Sequence, residues 1–325
     1  LTPAALIASI VTLAYTWSGG ILAVTLTDAV QYGIIVIGVA LCAYLAIDHL
    51  GGFDAMMSIL YSNPRFETNM KPLANWSLVQ FLGLFFSFLL GEFCAPYYIQ
   101  RYASTKSAKD SKNGLLIFGV HWIFFMATTA AIGLASMAIQ PDVKPDLAFT
   151  NLIRDILPPG ITGLVFGALL AAVMSTGAAM INTSAVIYTR DIYNKFINTA
   201  ATQAQLLRQS RLSTLVVGGI SIGVAIIFQD VFGLMIYMFK LWPSAILPPL
   251  MCGLLWGKIS PYAGAPAVIA GGLSFFLWSD KVLGEPFGIP ANLIGIGLNC
   301  LTLFVVHQMM KRRVPSTGIY APEVL

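Results

Sequence analysis

Eight long stretches, near 28–47, 77–99, 113–139, 160–189, 212–229, 232–256, 262–279 and 291–310, are interrupted by charge only at Asp28, Glu92 and Lys240. A helix needs roughly 20 apolar residues to cross the ~30 Å hydrocarbon core of a bilayer. These stretches are too long and too evenly apolar for the alternating strands of a barrel, and inside a bilayer the backbone must satisfy its own polar groups. The chain therefore reads as an all-α polytopic membrane protein. A further apolar run at 1–15 reads as the end of one more span, separated from the first full one by the glycine-containing turn YTWSGG and the segment AVTLTDAVQ.

Composition agrees, because only 10% of the 325 residues are charged and 57% are hydrophobic, against about 25% charged in a soluble domain. Twelve of the lysines and arginines fall in one alternating set of loops and five in the other. The richer set belongs in the cytoplasm, which also puts the tail at 311–325 there. This distribution orients the chain in a membrane and argues against a nucleic-acid surface. Cys42, Cys94, Cys252 and Cys300 lie in apolar segments without zinc or disulfide spacing. The chain opens at Leu1 inside an apolar run with no charged leader, which predicts a fragment with further helices upstream.

Two spans carry helix breakers. One has Gly91, Glu92 and Pro96, the other Lys240, Pro243, Pro248 and Pro249. Proline removes a donor and clashes with the preceding turn, so both spans are expected to kink or unwind, as transporters do at a binding site. A charge inside a span needs a partner or a wet cavity. Glu92 is the only acidic residue within the later spans, so a Glu92–Lys240 pair is expected, or else a solute carboxylate on Lys240; snorkelling of the lysine stem is the plain alternative.

The stretch AAVMSTGAAMINTSAVIYTRDIY at 171–193 carries chemistry of another kind. Ala172, Ser175 and Thr176 stand at i, i+3 and i+4, so one carbonyl and two hydroxyls share a helix face. Such a face is part of an oxygen cage for a hard cation, or simply hydroxyls bonded back to the preceding turn. His121 reads as a packing residue or a proton shuttle. Asp28 reads as a helix cap or as a station on a cation path. No phosphate-binding, dinucleotide or nucleophile-elbow motif occurs, so no enzyme chemistry is expected.

Three motifs in order, YTWSGGILAVTLTDAVQ at 15–31, PYYIQRYASTKSAKDSKNG at 96–114 and the 171–193 stretch, together resemble the sodium:solute symporter family. The resemblance implies a LeuT-type fold of two inverted repeats. This chain would hold the end of the first repeat at 1–49, the second at 77–256 and additional helices at 262–310. It also implies sodium ligation by Ala172, Ser175 and Thr176, and an inner sodium path past Asp28. Members with a second sodium have hydroxyls where this chain has Ala178 and Ala179, so one sodium per solute is expected.

Phe88, Gly91 and Ile236 stand where sugar carriers have polar residues, so the chain looks closer to the proline and pantothenate branch. With Glu92, His121 and Lys240 these form the solute-site candidates, and a small carboxylate or amino-acid-like solute is expected. The expected partners are that solute, sodium as the coupling ion and the lipid bilayer, with no other cofactor. A solute sensor, or a proton-coupled carrier using His121 and Glu92, are the alternatives.

Overall fold

The computed structural model describes residues 3–64, 66, 77–227, 231–256 and 259–310. The expected cytoplasmic tail at 311–325, together with Arg65, Lys71, Lys258, Lys311, Arg312 and Arg313, lies outside the described residues. The chain folds as two compact units interleaved in sequence, the first from residues up to 74 and 104–227, the second from 75–103 and 228 onward.

In the first unit, α1 (Pro3–His49) is too long for one crossing, about 70 Å at 1.5 Å per residue. It is two spans divided at Gly20, whose φ of 56° and ψ of −146° fall where only glycine sits without strain. Nothing lies within 4 Å of the position a Cβ would take there, so backbone conformation alone requires the glycine. The reversal is visible in the packing. Tyr15 and Gly38 both meet α7 (Pro159–Ile187), at Met174 and Ala168, whereas a straight α1 would hold them ~35 Å apart. The expected turn and linker thus shrink to one residue, and Asp28 stands inside helix rather than at a cap.

Val39, Cys42, Ala43 and Ala46 follow the i, i+3, i+4, i+7 pattern and bury one stripe of α1. Against it pack α2 (Phe53–Ser62) through Met56 and Leu60, α5 (Ala108–Ile139) through Ile132 and Ala135, and α6 (Pro145–Ile156) through Leu152 and Ile153. The i, i+4 pair Met56 and Leu60 is fully buried on a short helix between spans, worth about 1.5–3 kcal/mol per side chain. Ser107 caps α5, accepting from the Asp110 N–H at 3.1 Å. α7 runs without interruption into a π-helical segment, Tyr188–Ile197, tied by an Asp191–Lys195 bridge of 2.9 Å. α8 (Gln203–Ile227) completes the unit.

In the second unit, α3 (Leu78–Cys94) begins in a reciprocal cap between Ser77 and Gln80 and ends at Ala95. Pro96 forbids Ala95 the helical region, Ala95 is extended, and α4 (Pro96–Ala103) leaves at a bend of 42°. This break is the expected one. The other span does not unwind: α9 (Val231–Trp256) stays a single helix through all three prolines. Pro248 and Pro249 deprive the Ser244 and Ala245 carbonyls of donors, and Asn299 on α11 (Ala291–Met310) supplies both, at 2.9 and 2.7 Å. Gly271 of α10 (Gly264–Trp278) and Gly295 of α11 leave the room for this junction around Ser244.

Among the described residues six helices are long and apolar enough to cross a membrane, seven with the bent α3–α4 pair taken as one span; α1 covers both the truncated and the first full predicted span, and α10 is shorter. The architecture is all-α and polytopic, as read from the sequence.

Candidate functional site: a hydroxyl face on α7 and a charged cavity beside α9

On α7, Ser175 and Thr176 donate to the Ala172 carbonyl at 3.0 and 3.1 Å. This is the back-bonding to the preceding turn that the sequence offered as the alternative to a cation cage, and it also draws three oxygens together within one turn. The hydroxyl protons point at the carbonyl, so the hydroxyl lone pairs remain for another electron acceptor. The face is open, with Thr176 exposed and Ala172 and Ser175 half-buried, while Ala178 and Ala179 on the following turn are buried methyls. Ala172 also lines a cavity of about 350 Å³ whose other walls are mostly apolar, among them Val39, Phe125 and Phe149.

Tyr15 ties this face to the motif that contains Asp28. Its hydroxyl donates to the Met174 carbonyl at 3.2 Å, and the side chains of Gln31, Thr12 and Thr27 and the charge of Asp28 surround it. Tyr15 was not singled out from the sequence as a partner of this face. The only signal for it is its fixed place in YTWSGG, since its partners are reached through the reversal at Gly20. The His121 ring meets Tyr32 edge-on at 4.9 Å and Phe125 at 5.9 Å, as a packing residue does.

In the second unit, Phe88 and Phe239 are in ring contact at 4.9 Å. Gly91 lies so close to Phe239 that a Cβ would come within 2.8 Å of its carbonyl, the one Pro243 leaves without an intrahelical donor. Glu92 interacts with the Tyr98 hydroxyl, and its Oε2 is buried without a hydrogen bond. The Tyr97 ring meets Tyr98 tilted at 4.4 Å and Trp242 edge-on at 6.2 Å.

The expected Glu92–Lys240 pair is corrected. The Lys240 ammonium lies 3.7 Å from Oε1 of Glu285, on the loop between α10 and α11. Glu285 was invisible as a partner because it sits outside the spans. Ile236 and Lys240 line a cavity of about 360 Å³ with Gln80, Glu285 and Asn292.

The profile of the sodium:solute symporter family matches residues 1–271. The chain belongs to that family. The osmoregulated proline transporter OpuE of Bacillus subtilis is 27% identical over 95% of this chain and 63% of its own length. The sodium/proline symporter of Escherichia coli is 27% identical over 83% of this chain and 55% of its own. The chain thus spans somewhat over half the length of these curated relatives. The fold matches that of a Na+-coupled sialic acid symporter captured in a substrate-bound outward-open state, with a TM-score of 0.70 at 20% identity over 94% of this chain and 66% of that one. The LeuT-type architecture expected from the motifs is therefore the symporter's fold, that of a multi-pass membrane protein.

Proposed function

We propose that this symporter couples inward sodium movement to uptake of a small organic solute of the amino-acid type, one sodium per solute. The observation that carries the reading is the convergence of the Ala172 carbonyl with the Ser175 and Thr176 hydroxyls on α7. Oxygen ligands of this hardness suit Na+. The proline carriers among its relatives support the solute class. Ala178 and Ala179 offer no oxygen for a second ion.

In this reading the cage is complete only in the outward-open state, and solute binds along the Phe88, Gly91, Glu92 and Ile236, Lys240 faces. Inward opening loosens the α7 face and releases both ligands past Asp28. Sodium and solute must tighten each other's binding by the same factor. One sodium with a neutral zwitterion moves one charge, worth about 2.3 kcal/mol per 100 mV. The work is transport rather than catalysis, in a bacterial inner membrane with the C-terminus cytoplasmic, the repeats dividing at 1–49 and 77–256.

The test is uptake of radiolabelled L-proline and a panel of amino acids into proteoliposomes of the full-length protein, with and without sodium. Uptake should vanish when choline replaces sodium. Thr176→Ala should raise the sodium concentration for half-maximal uptake by about tenfold or more, the worth of one lost charge-assisted contact. Uptake that follows a pH gradient without sodium would overturn the reading in favour of protons, and sodium-independent binding without uptake would favour a sensor.

A further inference from the structure

The cavity beside α9 holds more than the lysine that the sequence singled out. Lys240 and Glu285 face each other across 3.7 Å with both side chains about a quarter exposed, a loose pair beside open volume. Glu285 is held there by backbone and by bond. Its φ of 50° puts it in the left-handed region that a non-glycine residue enters at some expense, and Oε1 accepts the Ala291 N–H at 3.1 Å at the start of α11. Trp278 Nε1 donates to the Ile289 carbonyl at 3.0 Å and fixes the same loop from its other side.

Asn292 supplies a second, independent signal. The residue lines the cavity, is only 3% exposed and donates from Nδ2 to Ser87 at 3.0 Å, while its Oδ1 is buried and accepts nothing. A buried amide oxygen without a donor is normally filled, because leaving it empty forfeits about 1–3 kcal/mol. The cavity therefore offers one fixed cation and two acceptors, a carboxylate and an amide oxygen.

We infer that this cavity is a zwitterion site, in which Lys240 takes the solute carboxylate while Glu285 and Asn292 Oδ1 take its ammonium. The solute separates the Lys240–Glu285 pair and replaces each charge's partner with its own opposite charge, so neither is left bare. A monocarboxylate would satisfy Lys240 and strand Glu285, and an amine would do the reverse. The loop between α10 and α11 thereby becomes part of solute recognition. This rests on the transport reading, since it assigns the solute class along the Ile236–Lys240 face.

The experiment uses the full-length protein in proteoliposomes with a panel of zwitterionic amino acids including L-proline, the methyl ester of L-proline and tetrahydrofuran-2-carboxylate, which lacks the amine. Wild type should bind a zwitterion at least about tenfold more tightly than either single-charge analogue. Glu285→Gln keeps an acceptor for the Ala291 N–H, so the loop stays anchored. It should weaken the zwitterion about tenfold and leave tetrahydrofuran-2-carboxylate unchanged. Lys240→Met should weaken the zwitterion and the carboxylate but spare the ester. Sodium-dependent uptake of a solute without positive charge, insensitive to Glu285→Gln, would overturn the zwitterion site while leaving the symport reading intact. Equal weakening of all three probes by Glu285→Gln would reduce Glu285 to a structural role and overturn it too. Absence of sodium-dependent uptake of every panel member would sink both.

Discussion

Asn299 donates to the Ser244 carbonyl at 2.9 Å, filling the bond that Pro248 leaves open one turn along α9. The same amide reaches the Ala245 carbonyl at 2.7 Å, the bond that Pro249 leaves open. One fully buried side chain on α11 thus supplies the donors that two of the three prolines of α9 remove. Asn299→Leu should lower stability by about 1–3 kcal/mol, the consequence of two stranded carbonyls in a low-dielectric interior. Thermal unfolding in detergent reads the loss. Restoring the missing donors with Pro248→Ala and Pro249→Ala in the same chain should recover most of it, and failure to recover would detach Asn299 from the prolines.

Gly91 marks a contact that admits no side chain. A Cβ there would lie 2.6 Å from Phe239 Cδ1 and 2.8 Å from its carbonyl oxygen, and the carbonyl belongs to backbone that cannot yield cheaply. Gly91→Ala should destabilise by about 1–3 kcal/mol through overpacking and should reduce uptake as α3 is pushed from α9. Gly119→Ala is the control. Nothing lies within 4 Å of its Cβ position, so the substitution should leave melting temperature and uptake unchanged or slightly raised.

His121 packs edge-on against Tyr32 rather than against an acid. His121→Phe keeps an aromatic edge in that place, so stability should change by less than about 1 kcal/mol. Sodium-driven uptake and its pH profile should be unaltered. A flattened pH profile in this variant would restore the proton route.

Arg154 and Asp155 lie on α6, between the spans. Hydrogen bonding from Arg154, at 2.8 Å, and then from Gln140, at 2.7 Å, holds the Asp155 carboxyl below its ordinary value of 3.8. A carboxyl lowered by folding adds stability that is present above its unfolded pKa and is lost as pH falls through the folded one. The Gln140–Asp155 link should therefore loosen only below about pH 4. Carboxyl NMR titration checks this, and Arg154→Gln should move the midpoint upward.

The helical spans and the break at Ala95 were legible because both depend on local rules: apolar length, and the restriction that Pro96 places on its neighbour. The oxygen face of Ala172, Ser175 and Thr176 was legible for the same reason, since helical period alone brings the three together. What escaped depends on partners far along the chain. The prolines of α9 predicted a kink or unwinding, and the donors that replace those removed by two of them come from Asn299 on another helix. Lys240 predicted an acid within the spans, while its partner Glu285 stands on a loop whose unusual backbone no periodicity announces. Tyr15 reaches Met174 only because Gly20 reverses α1, and a single glycine among many carries no such message by itself.

The interleaving of the two units has a consequence in time. α3 leaves the ribosome well before α9, because all of α5 to α8 is made between them. At a synthesis rate of about 5–20 residues per second that interval is on the order of ten seconds. During it the notch at Gly91 and the carboxyl of Glu92 have no Phe239 or Trp242 to pack against. The second unit therefore closes only once α9 has been made, long after its first helix.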